Sequence, residues 1–180
     1  MIAIDNSPVR IALARHNATI YGVADRIEFI QADFVSFAKA LAKSSTKRRA
    51  DVVFLSPPWG GIDYQSMPAS KSSLSLIATN GDIDDSTVQE NSRDESAYSL
   101  DNLKPLPGNE LFTLARQITP HVAFFLPRNQ DLTEISQLVL GPDGSTAEKI
   151  KVEEEWMGSK LKALTCYFGG LVPGQEHLWT

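Results

Sequence analysis

Residues 51–61 read Asp-Val-Val-Phe-Leu-Ser-Pro-Pro-Trp-Gly-Gly. Their apolar part, from about residue 50 to Leu55, predicts a strand whose continuous hydrophobic run favours burial on both faces. Two prolines, each of which fixes its own φ angle, then stiffen the turn that follows. The stretch therefore predicts a core strand that carries a rigid polar and aromatic corner at its carboxyl end.

Strands and helices alternate on either side of this corner. Apolar runs predict three more strands at about 2–5, 26–30 and 121–126, and helical spacing predicts helices over about 8–20, 34–43 and 111–118. A short helix near 132–138 and a closing hairpin, at about 146–156 and 161–168, complete the pattern. The alternation predicts an α/β fold with a mostly parallel sheet.

Four clusters of polar or aromatic residues follow the ends of these strands. Asp5 ends the first strand, Asp33 and Phe34 follow the second, and residues 56–61 and 127–129 follow the other two. Ligands of open α/β sheets bind beyond the carboxyl ends of the strands. We therefore expect the four clusters to form one site.

Two acids in these clusters have the positions of nucleoside ligands. Asp5 could accept hydrogen bonds from ribose hydroxyls, as acids at such strand ends do, or it could be a loop acid that caps a helix. Asp33 could contact the amino group of an adenine on which Phe34 packs, or it could be a solvated turn acid. The sequence alone leaves both alternatives open.

The Ser56-Pro57-Pro58-Trp59 corner is more specific, because it has the [Asp/Asn/Ser]-Pro-Pro-aromatic form found in methyltransferases that act on amino groups. An exocyclic base amine is a poor nucleophile, so an enzyme must hold and aim it. The Ser56 hydroxyl and the Pro57 carbonyl are acceptors suited to that task. Trp59 offers a face for stacking a base, and its stack on cationic 7-methylguanine could contribute about 2 kcal/mol. The alternative is a purely structural corner.

Three further residues are candidates for the same rim. Tyr64 could add an edge contact to the base, or it could be a surface aromatic. Arg128 suits phosphate oxygens through forked hydrogen bonds, or it could form a surface salt bridge, and Asn129 follows it. We assign these three residues to substrate binding.

Composition limits the kinds of function that the chain can have. The 180 residues, 42% hydrophobic and 22% charged, suit one globular domain. The net charge is −5, but residues 66–104 hold seven acids against three bases, which leaves the rest nearly neutral. A broad basic nucleic-acid face is therefore not expected, and recognition of RNA would be local. The Ser-, Asn- and Asp-rich stretch 66–104 predicts a disordered insert.

Cysteine and histidine give no sign of a metal site. The single cysteine, Cys166, excludes an internal disulfide and a multi-cysteine metal site, and its place in a late strand predicts a buried thiol. His16, His121 and His177 lack ligand spacing. No apolar run is long enough to span a bilayer, and no secretory signal is visible. We therefore expect neither a metal nor a membrane partner.

Residues 1–65 and 106–172 resemble the trimethylguanosine synthase family. The most diagnostic match is residues 51–61 with Asp63-Tyr64, and residues 2–5, 8–18 and 21–30, Asp33-Phe34, and residues 125–129 and 161–169 continue it. The resemblance implies a Rossmann-like, class I methyltransferase fold that uses S-adenosyl-L-methionine. The activity it implies is methylation of the exocyclic N2 of 7-methylguanosine caps on small nuclear and nucleolar RNAs, giving 2,2,7-trimethylguanosine.

The family also implies a role for each candidate residue. Ser56 and Pro57 would hold the N2 amine as the catalytic pair, while Trp59 stacks on 7-methylguanine. The rest of the cap pocket would consist of Tyr64, Arg128 and Asn129, and the donor would be held by Asp5, Asp33 and Phe34. Capped RNA is then the partner, with proteins of small RNA particles as further partners. The implied location is the nucleus, including the nucleolus.

One departure from the family concerns the start of the chain. The family has a strand with a Gly-rich loop before the position of residue 1, and we expect its absence to expose two strand edges and weaken donor binding. The expected organisation is a partial methyltransferase domain over 1–172 and a tail over 173–180. Two alternatives stay open: a catalytically inactive cap-binding or interaction domain, and an amino-methyltransferase for another RNA base.

Overall fold

The protein is described from a computed structural model, which covers residues 1–43, 50–59, 97–141, 144–145 and 148–172. These residues form six strands and four helices. In chain order they are β1 (Ile2–Asp5), α1 (Pro8–Ile20), β2 (Glu28–Gln31), α2 (Phe34–Lys43), β3 (Val53–Leu55), α3 (Gly108–Arg116), β4 (Val122–Pro127), α4 (Leu132–Gln137), β5 (Lys151–Met157) and β6 (Lys160–Phe168).

The strands form two sheets. β1 pairs in parallel with β2, and a second sheet has the order β3-β4-β6-β5. Within the second sheet β3 and β4 are parallel, whereas β6 lies antiparallel to both β4 and β5. The predicted α/β class is confirmed, with parallel βα units followed by an antiparallel hairpin.

The hydrophobic core lies around β4, since this strand has neighbours on both sides. Its side chains at Val122, Phe124 and Leu126 are fully buried, with 0% of their surface exposed. Helix α3 packs Phe112 against one face of this sheet, where its ring centroid lies 4.5 Å from that of Phe168. Burial of side chains of this size contributes about 2 kcal/mol each, so β4, β6 and α3 form the stable centre of the fold.

A gap separates the two sheets. Within the described ranges no strand pairing joins β1 to β3, so each strand has one unpaired edge. A cavity of about 290 Å³ lies in this gap, and Ile2, Val52 and Phe54 on its walls are 54%, 46% and 62% exposed. The prediction that β3 is buried on both faces is therefore wrong at Phe54, because nothing among the described residues covers its side chain. As far as the described residues go, the two unpaired strand edges agree with the expectation.

The segment before α3 corrects the predicted insert. Residues 66–96 lie outside the described residues, but residues 97–107, here called the strap, are packed on the fold. Tyr98 pairs with the loop after β4, and Leu100 and Leu103 are 4% and 1% exposed. The predicted boundary at 104 is wrong because these apolar side chains, although set in a polar stretch, reach the core. The predicted tail 173–180 lies outside the described residues.

None of the helices in the described ranges combines the length and the apolar character that crossing a membrane requires.

Candidate functional site

A cavity of about 360 Å³ lies at the carboxyl ends of β1, β2 and β3. It brings together five of the predicted site residues, Asp5, Asp33, Phe34, Ser56 and Pro57. The other lining residues are Ile4, Asn6, Arg10, Ala32, Phe54, Leu55, Pro58, Lys104, Pro105 and Leu111. Three of the four strand-end clusters therefore meet, and the predicted convergence holds for them.

Asp5 shapes the turn into α1 as well as lining the cavity. Its Oδ1 accepts a hydrogen bond from the Ser7 backbone N–H at 2.7 Å, and its Oδ2 lies 3.7 Å from Nη1 of Arg10. Ser7 is in turn the N-cap of α1, where its hydroxyl accepts from the Arg10 N–H. The carboxylate is thus held in one orientation, and Oδ2 is the oxygen that has no backbone donor.

Asp33 is the cap of α2. Its Oδ2 accepts from both the backbone N–H and the hydroxyl of Ser36, at 2.8 and 2.7 Å. The hydrogen bonds from the Ser36 hydroxyl and then its N–H hold the pKa of Asp33 below its ordinary value. A carboxylate at a helix N-terminus is also stabilised by the helix dipole. Asp33 therefore stays ionised at the cavity wall, with Phe34 beside it.

The serine–diproline corner leaves β3 directly at the cavity. Leu55 and Pro57 are buried while Ser56 is exposed. The Ser56 side chain is therefore accessible, while its buried neighbours hold the backbone in place on both sides. Prolines at 57 and 58 leave that backbone little freedom to lose when a ligand binds. The corner can therefore present two oxygen acceptors, the Ser56 hydroxyl and the Pro57 carbonyl, in a fixed arrangement.

The predicted stacking and phosphate residues are not brought into this cavity. Trp59 is half-buried against the core, with its ring centroid 5.7 Å from that of Phe125 and the planes 55° apart. Arg128 and Asn129 are half-buried just after β4, and neither lines the cavity. Tyr64 lies outside the described residues. The structure thus gathers the predicted donor residues and amine corner, with Trp59 directly following that corner.

Sequence reasoning missed two cations on the cavity wall. Arg10 lies in the first turn of α1, close to Asp5, and could have been found from its helical spacing. Lys104 belongs to the strap and was hidden by the polar composition around it. In the described part of the chain no group of three or more His, Cys, Asp or Glu side chains is placed to hold a metal ion.

Comparison with known proteins shows which family the sequence of this chain matches. A model of the RNA cap guanine-N2 methyltransferase family matches residues 1–75 and 90–171. Trimethylguanosine synthase of Schizosaccharomyces pombe is 32% identical over 169 residues, which are 93% of this chain and 56% of that protein. Trimethylguanosine synthase of Saccharomyces cerevisiae is 30% identical over 171 residues, 92% of this chain and 43% of that protein. The chain thus spans about half the length of the curated relatives it matches.

Proposed function

Because the chain belongs to the RNA cap guanine-N2 methyltransferase family, we propose that it methylates the exocyclic N2 of 7-methylguanosine caps of small nuclear and nucleolar RNAs. The observation that carries the proposal is that one cavity joins Asp5 and Asp33 to the Ser56-Pro57 corner. The acids suit a nucleoside donor, and the corner suits an amine acceptor. The proposed donor-binding residues and the proposed acceptor-binding residues therefore line the same cavity.

The proposed donor is S-adenosyl-L-methionine, which supplies a methyl group on a positively charged sulfur. The lining of the cavity supports this donor, because it contains two acids at the ends of neighbouring strands and the aromatic side chain of Phe34. In this proposal Oδ2 of Asp5 accepts from ribose hydroxyls, and Asp33 accepts from the adenine amino group. Phe34 packs on the adenine ring.

The proposed acceptor is the cap nucleoside. The Ser56 hydroxyl and the Pro57 carbonyl accept hydrogen bonds from the N2 amine, which aims the nitrogen lone pair at the methyl group. Trp59 stacks on the cationic 7-methylguanine, and Tyr64, Arg128 and Asn129 complete the cap pocket. Catalysis comes mainly from positioning, and the amine proton leaves to water after transfer. The cellular setting we propose is the nucleus, including the nucleolus, with proteins of small RNA particles as partners.

One observation favours a second candidate function, a cap-binding domain without transferase activity. The gap between β1 and β3 opens beside the donor part of the cavity, since Phe54 and Ile4 line both spaces. A donor held by walls from two separately paired sheets would be held less firmly than an acceptor at the Ser56 corner. Binding without transfer would support this second candidate.

The experiment that tests the proposal is methyl transfer from labelled S-adenosylmethionine to RNA carrying a 7-methylguanosine cap. We expect the Ser56→Ala variant to transfer about tenfold more slowly, because one acceptor hydrogen bond to the amine is lost. The matched control is Ser159→Ala, at an exposed serine in the β5–β6 turn, which should transfer at the unchanged rate.

Three outcomes separate the candidates. Equal transfer to guanosine caps that lack the 7-methyl group would contradict the cationic stack. Binding of 7-methylguanosine triphosphate with no transfer would favour the binding domain. Equal loss of transfer in Ser56→Ala and Ser159→Ala would refute the role of the corner.

A further inference from the structure

Lys104 lies where the strap reaches the cavity. The strap runs from residue 97 to 107, and Lys104 and Pro105 line the cavity together with Ser56, Pro57 and Pro58. Lys104 is exposed, and it makes no ion pair with the described residues. Its ammonium is therefore available to a molecule that enters the cavity.

The strap is fixed at several points, so Lys104 stands on an ordered backbone. The Tyr98 N–H donates to the Asn129 carbonyl at 2.8 Å, and the Asp131 N–H donates back to the Tyr98 carbonyl at 3.0 Å. Glu134 of α4 accepts from the Ser99 hydroxyl and from the Leu100 N–H, at 2.8 and 2.6 Å. Because these bonds order the backbone in advance, less conformational entropy is lost when a ligand binds there.

Packing fixes the end of the strap near Lys104. Leu100 and Leu103 are buried against the start of α3, where a Cβ added at Gly108 would lie 2.7 Å from a methyl carbon of Leu100. A larger residue at position 108 would make the side chains of Leu100 and Leu103 shift, so glycine allows the close approach of helix and strap. This contact holds residue 103 and leaves residue 104 at the cavity.

The charged side chains on the cavity wall belong to different elements. The acids Asp5 and Asp33 lie at the ends of β1 and β2, with Arg10 beside Asp5. Lys104 comes from the strap and lines the same cavity as the Ser56-Pro57-Pro58 corner. Among the described lining residues Lys104 is thus the cation without an acidic partner, and an anion that enters the cavity can pair with it.

We infer that Lys104 binds a phosphate of the capped substrate and so holds the cap in register with the Ser56 corner. The inference rests on the proposed function. S-adenosylmethionine has a net positive charge, from its sulfonium and ammonium against one carboxylate, so a lysine beside it gains little. A cap nucleotide has a polyphosphate bridge, which attracts an ammonium strongly. The chemistry of the occupant therefore favours the phosphates.

The test compares two probes, 7-methylguanosine triphosphate and 7-methylguanosine, binding to the full chain by calorimetry. For Lys104→Gln we expect about tenfold weaker binding of the triphosphate and unchanged binding of the nucleoside, because a charged hydrogen bond to phosphate is lost. Lys104→Arg should keep most of the affinity. The matched control Lys160→Gln, on an exposed lysine at the start of β6, should bind both probes like the parent chain.

Salt gives an independent readout. The preference of the parent chain for triphosphate over nucleoside should fall as salt rises, and this dependence should be weaker in Lys104→Gln. Equal affinity of the parent chain and Lys104→Gln for the triphosphate would overturn the inference but leave the proposed function standing. Weaker S-adenosylmethionine binding with unchanged triphosphate binding would overturn it in favour of the donor. A parent chain that binds neither cap probe would remove the inference and the proposed function together.

Discussion

Asp5 and Asp33 combine a structural task with a place on the cavity wall. Each carboxylate uses one oxygen for the first turn of the helix that follows it, through the Ser7 N–H for Asp5 and through Ser36 for Asp33. The two interpretations offered by the sequence, nucleoside ligand and capping acid, are therefore compatible. Capping fixes the rotamer, and a fixed rotamer presents the remaining oxygen in one direction.

Asp33 allows these two tasks to be measured apart. Asp33→Ala should lower the free energy of unfolding by about 1 kcal/mol, because the cap of α2 is lost. Asp33→Asn should retain most of that stability, since asparagine caps equally well, while donor binding falls with the lost charge. Thermal unfolding and donor titration of both variants check this, and equal stability of the two variants would contradict it.

The pH dependence of this contribution follows from the depressed pKa of Asp33. Because the folded pKa lies below the unfolded one, the carboxylate stabilises the protein fully above about pH 4. That contribution is lost as the pH falls through the folded pKa. The Asp33→Asn variant should lack this part of the acid dependence, and the difference between the two acid-unfolding curves measures it.

At the residue scale the sequence predicted the strand-end residues well and the strap poorly. The Ser56-Pro57 corner and the residues Asp5, Asp33 and Phe34 could be located because each follows an apolar run whose carboxyl end defines its place. Lys104 could not be located in this way. The buried residues that hold its segment, Leu100 and Leu103, are separated by polar residues, so the sequence around them shows neither the alternation of a strand nor the spacing of a long helix. Placement of Trp59 against Phe125 depends on contacts between β3 and β4, which local sequence does not specify.

At the element scale, pairing partners decide what burial a strand receives. β4 and β3 have similarly apolar sequences, yet β4 pairs with β3 on one side and β6 on the other, whereas β3 pairs on one side only within the described ranges. Helix bounds at 8–20 and 34–43 were predictable from period and capping. The burial of β3 was not, because it depends on a neighbour on its far side.

Cys166 is a probe for the opening of the central strands, because it lies in β6 between β4 and β5. It lies in β6, opposite Phe124 of β4 and Val152 of β5, and is fully buried. Burial raises the pKa of its thiol to about 12. Since the thiolate is the reactive form, the folded protein should label with a thiol reagent at pH 8 far more slowly than the unfolded chain.

Labelling of Cys166 should therefore track the opening of β6. As the only cysteine in the sequence it gives one label per chain, and the labelling rate in urea should rise with the fraction unfolded measured by circular dichroism. Labelling without denaturant at the rate of a free cysteine would show that the strands around β6 open independently.

At the scale of the whole molecule, the gap between β1 and β3 is the main departure from a continuous sheet. It exposes apolar walls at Ile2, Val52 and Phe54, and contiguous exposed apolar surface of this kind binds hydrophobic dyes. The general α/β architecture was predictable from alternating elements. The gap itself was expected only from the family resemblance, since nothing in the local sequence of β1 or β3 shows which strand lies beside it.

A pair of matched substitutions locates the dye-binding surface. Ile2→Thr, on the wall of the gap, should reduce the fluorescence of bound anilinonaphthalene sulfonate, because apolar surface is removed from a continuous patch. Ile20→Thr, at an isoleucine that is 69% exposed at the end of α1, should leave it unchanged. An equal reduction in both variants would mean that the dye binds scattered side chains rather than the gap.

The 360 Å³ cavity takes its walls from both sheets, since Asp5 and Asp33 come from the β1–β2 pair and Ser56 and Lys104 from the larger body. Any molecule that contacts both walls connects two parts between which the described residues form no strand pairing. Its binding therefore raises the free energy of unfolding, by an amount that grows with the logarithm of its concentration. The melting temperature should therefore rise with the concentration of a molecule that binds both walls.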